Sequence, residues 1–321
     1  MKEIVFINKN IARWKEFESI LSDKRKVKPD HLGELFIHIT DDLSFSRTYY
    51  PTSEITTYLN SLALQSHQMI YKNKREKGSR IINFWATEFP LVMFRTRKYV
   101  LYSFAIFFVS VLIGCISVAN DDTFVRLILG DAYVNMTIEN IQKGDPMAVY
   151  KKMNQTDMFV GITINNIQVS FWAFVLGLFF SVGSGYMLFY NGLMLGAFQY
   201  FFFQKGLLVT SLLTIWIHGT LEIFSIIVAG AAGIAIGNSF LFPQTYSRAF
   251  SFRRGAKLGV KMVVGLVPMF IIAGFFEGFV TRQTDAPVFI RAGIIFASIV
   301  FIVWYFFILP ARLNKLTYQI Q

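Results

Sequence analysis

The chain has 321 residues, of which 54% are hydrophobic and 35 are Phe, and it carries a formal net charge of +11. Several apolar runs of roughly 18 residues or more exclude a pair of ordinary soluble domains and set the class as all-α, a polytopic helical membrane protein. The single Cys115 excludes an intramolecular disulfide and a cysteine-based zinc cluster, and the basic excess reads as orienting and lipid-contacting charge, with no nucleic-acid partner.

Residues 1–98 are expected to form a cytoplasmic helical domain that ends in an interfacial helix. The first residues are charged and amphipathic (Lys2, Glu3, Lys9, Arg13, Lys15, Glu16), unlike a cleavable signal peptide. Ile11, Trp14, Phe17, Ile20 and Leu21 recur at helical spacing. Asp30 opens a second helix with Leu32, Leu35, Phe36 and Ile39 on its apolar face. Pro51 and Ser53 break and cap before a third helix through Leu59, Leu62 and Met69. This region holds 17 Lys and Arg against 11 Asp and Glu. Its basic stretch Lys72–Lys77 lacks the interleaved aromatics of a nucleic-acid surface and reads as a solvated helix end. Residues 84–92, aromatic and followed by Arg95, Arg97 and Lys98, read as lying in the membrane interface.

Residues 99–321 are expected to form the transmembrane bundle, with about six spans near 100–119, 164–183, 185–203, 207–242, 258–280 and 288–309. The polar insert 121–158 has six acids and four bases and suits an extracytoplasmic helical hairpin. Gly183-Ser184-Gly185 is expected to turn the chain between the second and third spans. The fourth is longer than one straight crossing needs and is either tilted or broken near His218-Gly219. Pro268 is expected to bend the fifth, and Pro310 to end the sixth. With the N-terminus inside, the loop 243–261 (five bases, no acid) and the basic C-terminus also fall inside, while the acidic insert falls outside. The expected location is the inner (cytoplasmic) membrane with both termini cytoplasmic.

Small residues at every fourth position mark close helix packing: Ser225, Ala229, Gly233 and Gly237 in the fourth span, and Gly192 and Gly196 in the third. Gly177, Ser181 and Gly185, and then Gly274 and Gly278, repeat the spacing.

The candidate site is polar. His218 and Glu222 lie four residues apart in the fourth span and so share one helix face, at a depth where ionisable groups are expensive. Glu277 in the fifth span is the third candidate, because both residues fall in the outer halves of their spans. Asn165, Asn166 and Asn191 join the list of amides within spans. A His and a Glu alone are too few for zinc, which takes three or four protein ligands. The group either pins the bundle or holds a proton, a metal or a substrate, and the residues leave metal and cofactor open. No HExxH and no Ser–His–Asp triad is visible.

These residues resemble the stage II sporulation protein M family of prokaryotic integral membrane proteins. In the N-terminal part the resemblance rests on Arg13-Trp14, Asp42-Leu43-Ser44 with Arg47, Tyr58-Leu59-Asn60, His67, Ile70-Tyr71 and Phe89-Pro90. In the membrane part it rests on Asn165-Asn166, Tyr190–Gly196, His218-Gly219 with Glu222, Ala229–Gly233 and Glu277–Thr281. It departs at Ile217 and at Arg282, where proline is expected. The resemblance implies a multispan component and brings no enzymatic residues. In spore formers the namesake works with a peptidoglycan hydrolase and another membrane protein to move the engulfing membrane. The expected function is non-enzymatic: anchoring or assembling a cell-envelope complex, with lipid and other membrane or envelope proteins as partners, or a second copy of the chain. The alternative is a proton- or cation-coupled transporter or channel using His218, Glu222 and Glu277.

Overall fold

The computed structural model describes residues 2–22, 29–71, 79–151, 154–283 and 286–319, and all regular structure among them is helical. The chain divides into two compact units, Met1–Ser79 and Arg80–Gln321.

The first unit holds α1 (Glu3–Ser22), α2 (Pro29–Tyr49) and α3 (Glu54–Tyr71). Helical periodicity puts Phe6, Trp14 and Phe17 of α1, Leu35, Ile39 and Leu43 of α2, and Leu59 and Leu62 of α3 into one core. Ser53 Oγ accepts from the backbone N–H of Ile55 at 3.2 Å just after the Pro51 break, which opens α3 where the sequence predicts. The basic stretch 72–77 lies outside the described residues.

The second unit begins with α4 (Ser79–Asn83), which passes through a π-helical turn, Phe84–Glu88, into α5 (Phe89–Asn120). The segment expected at the interface is part of the bundle: Phe89 and Val92 are at most 3% exposed and sit in the main core. Trp85 Nε1 donates to Gly265 O at 3.2 Å, and Tyr305 Oη donates to Trp85 O at 2.6 Å. The aromatic side chains of this segment thus pack between helices of the bundle.

The insert contains α6 (Phe124–Leu129) and α7 (Asp131–Gln142), joined by Gly130 at φ +83°, and then a 3-10 turn, Ala148–Lys151. Arg126 ties the two helices by donating to Asp131 at 2.9 Å and to Asn135 at 2.8 Å. Next come α8 (Gln155–Val175), a 3-10 turn at Leu176–Leu178, α9 (Val182–Gln204) and α10 (Leu208–Leu241). The chain reverses between α8 and α9 at 179–181, where Phe180 and Ser181 adopt positive φ. Gly183-Ser184-Gly185 therefore lies inside α9, a correction to its expected role as the turn. α11 (Arg248–Phe275) runs through Pro268 into a π-helical turn at Phe276–Val280. α12 (Val288–Val303), a π-helical turn at Trp304–Ile308 and α13 (Leu309–Gln319) complete the chain. Pro310 does not end this helix, which continues to Gln319; Pro310 falls at the second position of α13, after the wide turn.

Among the described residues, five helical stretches are long and apolar enough to cross a membrane: 80–120, 155–178, 208–241, 248–280 and 288–316. α9, at 23 residues, is long enough, but its Gly, Tyr, Asn and Gln dilute its apolarity. α10 is the hub. It packs against α5, α8, α9, α11 and α12, and it is unbroken over 34 residues, about 51 Å of rise. It stays helical through His218-Gly219, which resolves the choice between a tilted and a broken fourth span in favour of a long, continuous one.

Candidate buried polar site

Two i,i+4 pairs face each other across the α10–α11 contact. His218 and Glu222 rise from α10, and Glu277 and Thr281 from the π-helical turn that ends α11 and the residue after it. Such turns widen a helix by one residue and recur at functional sites. His218 has a neighbour at each ring nitrogen: Nδ1 is in hydrogen-bond reach of Thr281 Oγ1 at 3.0 Å, and Nε2 is 3.7 Å from Glu277 Oε2. One ligand atom from each of His218, Glu222 and Glu277 lies within 4.8 Å of the others. The His218 side chain is 5% exposed and that of Glu277 13%.

Asn166 of α8 is buried and sets its side-chain amide against the Glu222 carboxylate. Its neighbour Asn165 is exposed, so only one of the two amides reaches the site. Asn191 of α9 borders the site, but its Nδ2 donates to Met187 O at 2.8 Å on its own helix. Tyr150, from the insert, places its ring 5.9 Å from that of His218. Burial pushes the Tyr150 phenol well above its usual pKa, and the Glu277 carboxylate adds to the shift, so the hydroxyl is a neutral donor. A pocket of about 360 Å³ reaches His218 and Glu222 from the side of the insert, past Tyr133, Tyr150 and Leu129.

Two of these neighbours lay beyond the sequence reading. Thr281 was signalled, since it stands four residues after Glu277 and must share its face. Tyr150 had no local signal, because its proximity depends on how the insert folds back.

His218→Ala is expected to destabilise the bundle by about 1–3 kcal/mol, because the Thr281 hydroxyl, 1% exposed, and the Glu277 carboxylate both lose the imidazole. Thermal unfolding in mild detergent reads this, and an unchanged midpoint would show that the ring carries no packing role.

The small-residue positions pack as backbone contacts. A Cβ on Gly192 would stand 2.6 Å from Phe107 O, one on Gly196 would overlap Val111 O, and one on Gly237 would overlap Ser181. Ser225 and Ala229 are fully buried. In the N-terminal unit the motif residues serve structure. Trp14 Nε1 and Arg13 Nη2 both donate to Asp42 Oδ2, at 2.8 and 2.7 Å. Arg47 donates to Asn60 Oδ1 at 2.6 Å, and His67 is exposed.

Residues 103–282 match the family model described as Stage II sporulation protein M. Residues 4–72 match a separate model, a domain of unknown function (DUF8413). The first match covers the membrane unit from α5 to the end of the candidate site, while the N-terminal unit carries a model of its own. No curated protein and no solved structure matches the chain.

Proposed function

The chain belongs to the stage II sporulation protein M family, and on that premise we propose that it is a non-enzymatic membrane component that anchors or assembles a cell-envelope complex. The observation that carries this reading is the course of α10, which passes His218 and Gly219 without unwinding. Transporters that bind ions at the midplane commonly do so with broken helices, whose freed backbone groups coordinate the cargo. A continuous, buried central helix suits a rigid scaffold better.

The N-terminal unit would offer the partner surface. Outside its core it leaves Ile4, Val5, Ile37, Tyr49 and Leu64 more than half exposed. Six crossings, with α9 as the sixth, put both termini in the cytoplasm. Arg95 and Lys98 of α5 line one pocket together with Arg254 of α11, so two basic flanks meet at one end of the bundle, which supports a shared cytoplasmic side. The inner membrane is the proposed location, and a peptidoglycan-active protein the proposed class of partner.

Affinity purification from native membranes in mild detergent tests this, with wild type and Glu222→Gln side by side. The expected result is a partner held near stoichiometry by the wild type and lost from the variant. A folded protein arriving alone in both samples would overturn the reading for stable complexes. The second reading, cation or proton transport, has the pocket reaching His218 and Glu222 in its favour. It predicts flux in liposomes that Glu222→Gln abolishes.

A further inference from the structure

We propose that His218, Glu222 and Glu277 bind one divalent transition-metal ion, zinc by its ligand set, and that this ion clamps the end of α11 to α10. The inference stands apart from the assembly reading, because an ion could sit here whatever the protein docks with.

The donors suit the ion in kind and in spacing. They are one imidazole nitrogen and two carboxylates, with ligand atoms within 4.8 Å of one another and His218 Nε2 already 3.7 Å from Glu277 Oε2. Bonds of about 2.0–2.1 Å in a tetrahedral zinc shell put neighbouring donors about 3.4 Å apart. The donors must draw in by at most about 1.4 Å, a distance on the scale of a side-chain rotation. Imidazole with carboxylate selects zinc, manganese or iron over copper(I), which prefers sulfur ligands.

Three further features are those that metal sites have around their ligands. Thr281 Oγ1 stands 3.0 Å from His218 Nδ1; an Nδ1–H donated to it leaves the Nε2 lone pair facing the carboxylates. Asn166 is 4% exposed, with its side-chain amide against the Glu222 carboxylate. A carboxylate that gives one oxygen to a metal can keep such an amide donor on its other oxygen, which orients the ligand. The pocket from the insert side supplies an entry path and room for a fourth ligand such as water.

Charge argues the same way. Two carboxylates confined with a histidine inside a bundle repel each other, whereas a dication neutralises both and binds them together. This answers the objection that His218 and Glu222 are too few for zinc, since Glu277 is the third protein ligand, as at zinc sites that keep one position open.

The test is elemental analysis of the full chain, purified in mild detergent through a tag without histidines and with no chelator present. The expected content is about one zinc per chain, falling at least ~10-fold in Glu277→Gln and His218→Gln and unchanged in Glu139→Gln on the insert surface. Thr281→Val, a positioning change, should weaken zinc by about 10–100-fold in competition with a chromophoric chelator while the protein stays monodisperse. Because the ligand variants could fail to fold, wild type is also stripped with EDTA and refilled: its unfolding midpoint should drop and return with Zn²⁺ but not with Mg²⁺. Manganese or iron at the same stoichiometry, lost in the same variants, would overturn the zinc assignment and support the site. Less than ~0.1 ion per chain, with no midpoint shift on adding Zn²⁺, Mn²⁺ or Fe²⁺, would overturn the site itself. Metal-free protein that still captures its partner would place that failure in the metal inference alone.

Discussion

Gly233→Leu is expected to abolish the single monodisperse species that wild type forms in mild detergent, while Gly293→Leu leaves it intact. Gly233 sits on α10 where the α8–α9 hairpin presses closest. A Cβ there would stand 2.5 Å from Ala173 O and 2.9 Å from Ser184 Cβ, and a Cβ on Gly177 would in turn overlap the Gly233 backbone. The nearest obstacle is the Ser184 hydroxyl, itself bonded to Ala173 O, and Ala173 O is main chain in a helix, so no single rotamer change clears both. Ser184 Oγ donates to Ala173 O at 2.5 Å and Ser181 Oγ to Ile234 O at 3.1 Å, which ties the hairpin to itself and to α10. A leucine must drive the hairpin off the hub. Overpacking alone costs about 1–3 kcal/mol or more, and each hydrogen bond lost between helices in the membrane adds an average of about 0.6 kcal/mol. Gly293 of α12 has nothing within 4 Å of its Cβ position, so a side chain there meets open space. Size-exclusion profiles and unfolding midpoints of both variants check this. A Gly233→Leu protein with the wild-type midpoint would refute the claim that backbone contact holds the hairpin.

The same glycines show what the sequence could and could not say. Spacing of small residues marked Gly233 and Gly237 as packing positions, because a four-residue repeat stays on one helix face whatever the neighbours are. It could not say which repeats find a partner: Gly185 continues the same pattern yet has nothing within 4 Å of its Cβ position. Gly183-Ser184-Gly185 read as a turn because glycine usually marks one. Here Gly183 is small because a Cβ would stand 2.5 Å from Leu176 O, and the reversal itself uses Phe180 and Ser181 in conformations that composition does not announce.

At the polar site, the spacing of His218 and Glu222 was legible, and Glu277 followed from matching depth in two spans. Asn166 and Asn165 could not be told apart by type; only the phase of α8 against α10 separates the buried amide from the exposed one. The insert's contribution through Tyr150 is a tertiary fact. The π-helical turns at 84–88, 276–280 and 304–308 also leave no compositional mark, and they explain why segment ends moved and why a helix continues past Pro310. In the N-terminal unit, by contrast, the 3.6-residue period places all three helices, since a small three-helix core leaves few ways to bury the apolar stripe.

Trp14→Ala is expected to unfold that unit while the membrane bundle keeps its structure. Trp14 is fully buried in the core shared by α1, α2 and α3, with Phe6 edge-on at 5.5 Å between ring centroids. Removing a buried Trp side chain costs about 3–5 kcal/mol. It also strips Asp42 Oδ2 of the indole N–H, leaving Arg13 on that oxygen. A unit of this size is worth about 4–12 kcal/mol in total at 0.05–0.15 kcal/mol per residue, so one substitution removes a large share of its stability. Trp14→Phe keeps most of the ring volume and should cost less, chiefly the lost hydrogen bond. Hydrogen exchange on the full chain in detergent separates the outcomes: protection should vanish from peptides within 3–71 and persist in those from α5, α10 and α11. Unchanged protection in 3–71 would refute the weight given to Trp14. If the N-terminal unit is the docking surface, Trp14→Ala should also lose the copurifying partner with His218, Glu222 and Glu277 untouched. Retention of that partner would move the docking surface to the membrane unit.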